Sequence, residues 1–119
     1  MNLARSSIVN MFLATIFLGF GFSALLGQEN VRQAFFTWGY PDWFRLAVGF
    51  VEIVAGGCLL IQPATPIAAG VLVLLMLGAM GTHIRAGEYP YALIPLILGA
   101  ILAFIGYRAW KRPKASPKA

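Results

Sequence analysis

Residues 46–80 read LAVGFVEIVAGGCLLI (Leu46–Ile61), then QPATP (Gln62–Pro66), then IAAGVLVLLMLGAM (Ile67–Met80). Two continuous apolar blocks of helical length flank a short polar break. Continuity excludes β-barrel strands, whose apolar residues alternate with polar ones. Pro66 sits where a helix tolerates proline, in its first turn. With only Gln62 to Thr65 between them, the two helices are expected to form a tight antiparallel hairpin. Each reaches membrane length only by including its polar edges, which a bundle permits.

Two more blocks lie outward of this pair. Ile8 to Leu26 follows Arg5; nineteen residues at ~1.5 Å each give ~28 Å, enough to cross a hydrocarbon core of ~30 Å. A cleaved signal peptide is the competing reading, but the apolar region is long for one and no clear A-x-A site follows. The last block runs from Ala92 to about Trp110, with Pro95 near its start, a proline expected to kink the helix and orphan the carbonyl of Tyr91. Between the first two blocks, Gln28 to Arg45 reads as a loop, with room for a short helix in the membrane interface. Its Trp38, Tyr40 and Trp43 suit the headgroup level.

The 119-residue chain is 60% hydrophobic and 11% charged, too few charges to clothe a soluble domain. The expected fold is all-α: a membrane-spanning four-helix bundle over residues 1–110, with spans near 7–26, 44–62, 66–83 and 91–110, and a basic cytoplasmic tail at 111–119. Four spans put Arg5, Arg108, Lys111, Arg112, Lys114 and Lys118 on one side and Arg32, Arg45 and Arg85 on the other. Six basic residues against three place both termini in the cytoplasm. The net charge of +5 then reports topology and anionic headgroups, not nucleic acid. The expected surroundings are the lipid bilayer, with a protein partner or a second copy.

Helix association in lipid favours small residues at spacings of three or four. Candidate seams are Thr15, Gly19, Ser23 and Gly27; Gly49, Glu52 or Ile53, and Gly56; Gly70, Gly78 and Gly81; and Gly99, Ala103 and Gly106.

Few residues carry chemistry. Glu52 lies mid-block among Val51, Ile53, Val54 and Ala55, where a carboxylate costs ~2.5–3.5 kcal/mol even on a lenient insertion scale. It should therefore face the interior, either to handle protons or hold a bound polar headgroup, or as a neutral or paired group tying helices together. Arg45, seven residues earlier, shares its helical face ~10 Å away; it reads more readily as a snorkelling interfacial anchor than as a link to Glu52. His83, the single histidine, cannot build a multi-histidine metal site, though an imidazole suits proton exchange. It lies near the outer boundary, well above Glu52. Arg85 clamps an acidic group or simply marks a helix end. Cys58 stands alone, so neither a disulfide nor a CxxC pair can form within the chain. No phosphate loop, nucleophile elbow or zinc-protease helix appears. No internal repeat supports an inverted-repeat transporter.

The run Gly49-Phe50-Val51-Glu52-Ile53-Val54-Ala55-Gly56-Gly57-Cys58-Leu59-Leu60 resembles the second helix of the DoxX and DoxX-like membrane proteins. Pro63, then Ala68-Ala69-Gly70, then Gly78-Ala79 leading to His83 continue the resemblance over roughly Phe35 to Tyr107. It implies a multi-pass protein of the inner (plasma) membrane. The family's namesake, the small subunit of a thiosulfate:quinone oxidoreductase, implies contact with the quinone pool and a redox partner; the residues themselves name no cofactor, and a quinone is the candidate. The expected function is thus a small quinone-interacting subunit of a membrane redox or respiratory assembly, at most the membrane subunit of an oxidoreductase. Its cleft would be lined by Glu52 and open towards Arg45 and His83. A non-catalytic scaffold or assembly factor, with Glu52 as a structural contact, is the alternative; a small transporter ranks last because polar residues do not line one face.

Overall fold

The computed structural model describes residues 2–111, and their side chains from residue 8 onward. The basic tail beyond Lys111 and the side chain of Arg5 lie outside that range. Five α-helices follow in order: α1 (Asn2–Leu26), α2 (Glu29–Trp38), α3 (Asp42–Cys58), α4 (Thr65–Arg85) and α5 (Leu93–Lys111). Single 3-10 turns, Gln62–Ala64 and Tyr89–Ala92, precede α4 and α5. The described residues contain no strand. Three stretches are long and apolar enough to cross a membrane, Ile8–Leu26, Gln62–Arg85 and Tyr89–Lys111. Helix α3, at 17 residues, is shorter.

The helices pack in two intimate pairs, α1 with α3 and α4 with α5, which meet mainly through α3 and α4. The tight packing therefore lies elsewhere than in the α3–α4 hairpin read from the short connection. Chemistry at the seams explains the choice. A Cβ added to Gly49 would come within 2.9 Å of the Gly21 carbonyl oxygen, and one added to Gly21 within 2.7 Å of the Gly49 oxygen. At Gly56 it would meet Phe17 at 3.1 Å. Glycine thus lets two backbones touch, the contact that substitutes for a hydrophobic drive in lipid. On α1 the seam runs through Leu13, Phe17, Gly21 and Ala24, one face round from the Thr15–Gly19–Ser23 stripe. Gly106 packs on Ala69 and Gly99 on Met76, joining α5 to α4. Gly19, Gly70, Gly78 and Gly81 face open space instead. Spacing alone cannot separate a glycine that packs from one that does not.

One core draws on all four long helices: Leu13 and Phe17, Ala55 and Leu59, Leu72 and Met76, and Leu98 and Leu102. Away from it, Phe12, Leu74, Ile97 and Phe104 are each more than half exposed, an apolar exterior that water would not tolerate and lipid would. The end of α3 is tied down by Asn10 Nδ2, which donates to the Leu59 carbonyl at 3.0 Å, and by Thr65, whose hydroxyl lies 3.1 Å from the same oxygen. These bonds satisfy a carbonyl the helix terminus leaves orphaned.

Two local expectations change. Residues 28–45 are mostly helical: α2 fills Glu29–Trp38 and α3 already begins at Asp42. Pro95 falls in the first turn of α5, where its missing N–H has no intrahelical acceptor to lose, so no kink is required.

Candidate functional site

Helix α2 closes on Gly39, whose φ of 89° suits the residue without a Cβ. The Gly39 N–H donates to the Phe36 carbonyl and the Tyr40 N–H to that of Phe35, each at 3.0 Å. This pair of hydrogen bonds ends the helix in a Schellman motif. It turns Trp38 and Tyr40 back towards the core. Helix α4 ends the same way on Gly87 (φ 78°), with the Glu88 N–H donating to the His83 carbonyl at 2.8 Å. That turn folds Glu88 onto His83, five residues before it. Two glycine-closed helix ends thus meet at one end of the molecule.

The Glu88 carboxylate accepts from two sides. His83 Nδ1 lies 2.9 Å from Oε1 and Trp38 Nε1 donates to the same oxygen at 3.2 Å. The hydrogen bond with His83, then that from Trp38, hold the Glu88 carboxyl below the usual carboxylate range. Trp38 also meets the His83 ring edge to face at 5.4 Å. Beside this group runs a directional chain. Thr82 donates to the Gly78 carbonyl at 2.9 Å, which commits its only proton. Tyr40 must then donate across the 2.6 Å contact to the Thr82 oxygen. Arg85 Nη2 donates to the Tyr40 oxygen at 3.1 Å and to the Trp38 carbonyl at 3.2 Å. Arg85 therefore clamps the α2–α3 linker rather than an acidic group.

These residues close a cavity of about 170 Å³ between α2, α3 and α4. Phe35, Trp38, Tyr40 and Phe44 supply aromatic walls, while Val48, Leu74, Leu75, Gly78 and Ala79 supply the aliphatic ones. Thr82 and His83 complete the lining. The volume lies below the ~300 Å³ at which drug-sized pockets begin, and suits one planar ring. A second cavity, about 250 Å³, is a groove between α3 and α4 bounded by Phe50, Val54, Cys58, Ile67 and Val71 among others. Its lining residues carry no charged group, so it offers nothing to orient a polar headgroup.

Of the four residues singled out from sequence, only His83 and Arg85 come together. Arg45 is buried, 5% exposed, and does not snorkel. Its guanidinium pairs with Asp42 at 2.9 Å and donates to the Ala24 carbonyl near the end of α1. Glu52 is also buried, at 8% exposure, and its carboxyl makes no hydrogen bond or ion pair with the described residues. Neither Arg45 nor Glu52 lines the cavity, so one cleft joining Glu52, Arg45 and His83 is not what forms. Phe44, Val48 and Glu52 do succeed one another at spacings of four on α3. Glu52 therefore lies one turn beyond the cavity wall, ~6 Å along the axis. Sequence reading passed over Trp38, Tyr40, Thr82 and Glu88 as site residues. The findable signal was Gly87 at the end of a helix, because a Schellman turn there delivers the next residue to His83. The described residues contain no cluster of three metal-ligating side chains.

An all-helical chain, lipid-facing on its outside and carrying an aromatic cavity beside an internal acid, defines a small integral membrane protein. More specifically, the chain belongs to the DoxX-like family, whose sequence profile matches residues 8–105. The match takes in α1 as well as the region from Phe35 on which the resemblance was seen. Curated proteins and solved structures returned no significant match.

Proposed function

We propose that this protein is a quinone-interacting subunit of a membrane redox assembly, and that the ring of the quinone sits in the cavity beside His83. The observation that carries this reading is the cavity itself: ring-sized, walled by four aromatic residues, with an imidazole in its lining. On this reading α3 is a fourth span, made long enough by its polar edges, and both termini are cytoplasmic by the six-to-three excess of basic residues. The membrane is the inner one, and α2 lies along its outer interface, with its Phe36 and, at the start of α3, Trp43 turned outward. His83 touches the ring. Glu52, one turn deeper, serves proton exchange from below. Arg45 and Arg85 hold the frame in which the two work, and electrons come from a partner protein.

Native mass spectrometry of gently extracted protein tests the reading. A quinone-sized adduct is expected on the parent chain and should vanish in Ala79→Trp, which fills the cavity. Protein free of any such adduct, reconstituted with quinone and still unable to take it up, would contradict the proposal. Topology is checked separately by labelling cysteines placed at the α3–α4 connection and in α2, which should lie on opposite sides.

A further inference from the structure

The cavity's polar valences can be counted one by one. Trp38 Nε1–H is spent on Glu88. The Thr82 hydroxyl proton is spent on the Gly78 carbonyl and the Tyr40 proton on Thr82. Tyr40 in turn accepts from Arg85. Arg85 holds further N–H groups but does not line the cavity. Every side-chain donor in the lining is thus committed to protein, with one nitrogen outstanding. His83 Nδ1 faces the Glu88 carboxylate at 2.9 Å, and an ionised carboxylate only accepts, so Nδ1 must carry the proton. In the neutral ring the other nitrogen, Nε2, is then a bare acceptor. It has no hydrogen-bond partner among the described residues.

We infer that the site is built for the reduced form of its ligand, an aromatic ring bearing a hydroxyl donor, with His83 Nε2 accepting from that hydroxyl and Glu88 fixing the tautomer that allows it. The inference rests on the quinone-binding reading and sharpens it. A quinone offers only carbonyl acceptors and would set its oxygen against the Nε2 lone pair. A quinol offers the missing proton. The aromatic walls treat both forms alike, so the preference comes from one atom. Glu88 is a positioning residue here, acting through the imidazole.

The test compares a short-chain benzoquinol with its own oxidised quinone, both titrated anaerobically against the full chain in detergent at mildly alkaline pH, where a free imidazole is neutral. Tryptophan quenching reports binding. The quinol is expected to bind about tenfold more tightly, the worth of one well-made hydrogen bond, and His83→Leu should bring the two affinities together. Equal affinities in the parent, or a tighter quinone, would overturn the inference while leaving the quinone reading in place. No binding of either form sinks that reading and this one with it. A preference that survives in His83→Leu removes the assignment to His83. Because the chain has one histidine, ¹⁵N NMR of labelled imidazole gives a second check that needs no variant: a protonated Nδ1 and bare Nε2 are expected, and the opposite tautomer would overturn the assignment.

Discussion

The α1–α3 seam and the α2–α4 end are held together by opposite means. Along the seam Gly21, Gly49 and Gly56 remove side chains so that two helices approach closely, and an atom added at Gly21 or Gly49 would force the backbones apart. At the other end, side chains do the joining. Trp38, Tyr40, Arg85 and Glu88 bond across the α2–α4 contact and leave a ring-sized void between them. Close packing gives rigidity but no room for a ligand, whereas a hydrogen-bonded frame gives room and fixed polar edges. The proposed ring site accordingly falls where the packing is looser.

The contrast breaks most sharply at Gly49. Gly49→Leu should lower unfolding stability in detergent by ~3 kcal/mol, because overpacking against backbone cannot be relieved by a rotamer change. Gly57→Ala should do the opposite, raising stability by up to ~1 kcal/mol, since nothing lies within 4 Å of the new methyl group and alanine is the better helix former. Equal losses at both positions would show that glycine placement does not separate seam from exterior.

Next in size is Arg45, a charged residue buried where α3 meets the end of α1. Arg45→Met should cost ~2 kcal/mol, chiefly through loss of the buried charge-assisted hydrogen bond to the Ala24 carbonyl, which then keeps only the Gly27 N–H at 3.2 Å. Asp42 adds little to this, being 74% exposed in its side chain and free to turn to solvent. Urea titrations of the two single variants and the double variant decide whether the pair or the carbonyl matters.

The smallest effect concerns the other end. The Glu88 carboxyl is held below its ordinary value of 4.5, first by the hydrogen bond with His83 and then by that from Trp38. A lowered folded value means that its contribution is complete above pH 4.5 and fades as the pH falls through the lowered value. Docking of the α2–α3 linker should accordingly loosen only on strong acidification. Trp38 fluorescence, followed with Trp43 and Trp110 replaced by Phe, should show that step, and Glu88→Gln should abolish it. Seam stability should not share it.

Much of this was legible in the sequence, and the rest was hidden for definite reasons. The all-helical character followed from unbroken apolar blocks, and the family from the Gly49–Leu60 run with His83 beyond it. Arg45 reads as a snorkelling anchor because a long cation at a helix start has two fates, water or a carbonyl at the end of a neighbouring helix. Only the placement of Ala24 decides between them. The cavity was invisible because its walls come from three helices, and Trp38 and Tyr40 look identical to any interfacial aromatic until the Gly39 turn aims them. Glu52 drew attention by being an acid among apolar residues, yet it stands one turn away from the cavity, a distance no spacing rule reveals.

Photolabelling with a ring-substituted, photoreactive benzoquinone tests the central claim most directly, because it asks where the ring sits. The account predicts that adducts map to peptides carrying the cavity wall, at Tyr40 to Val48 and Leu75 to His83, and that unlabelled quinol competes them away. Labelling confined to Phe50, Cys58 and Ile67 in the apolar groove between α3 and α4, with the cavity wall untouched, would contradict it.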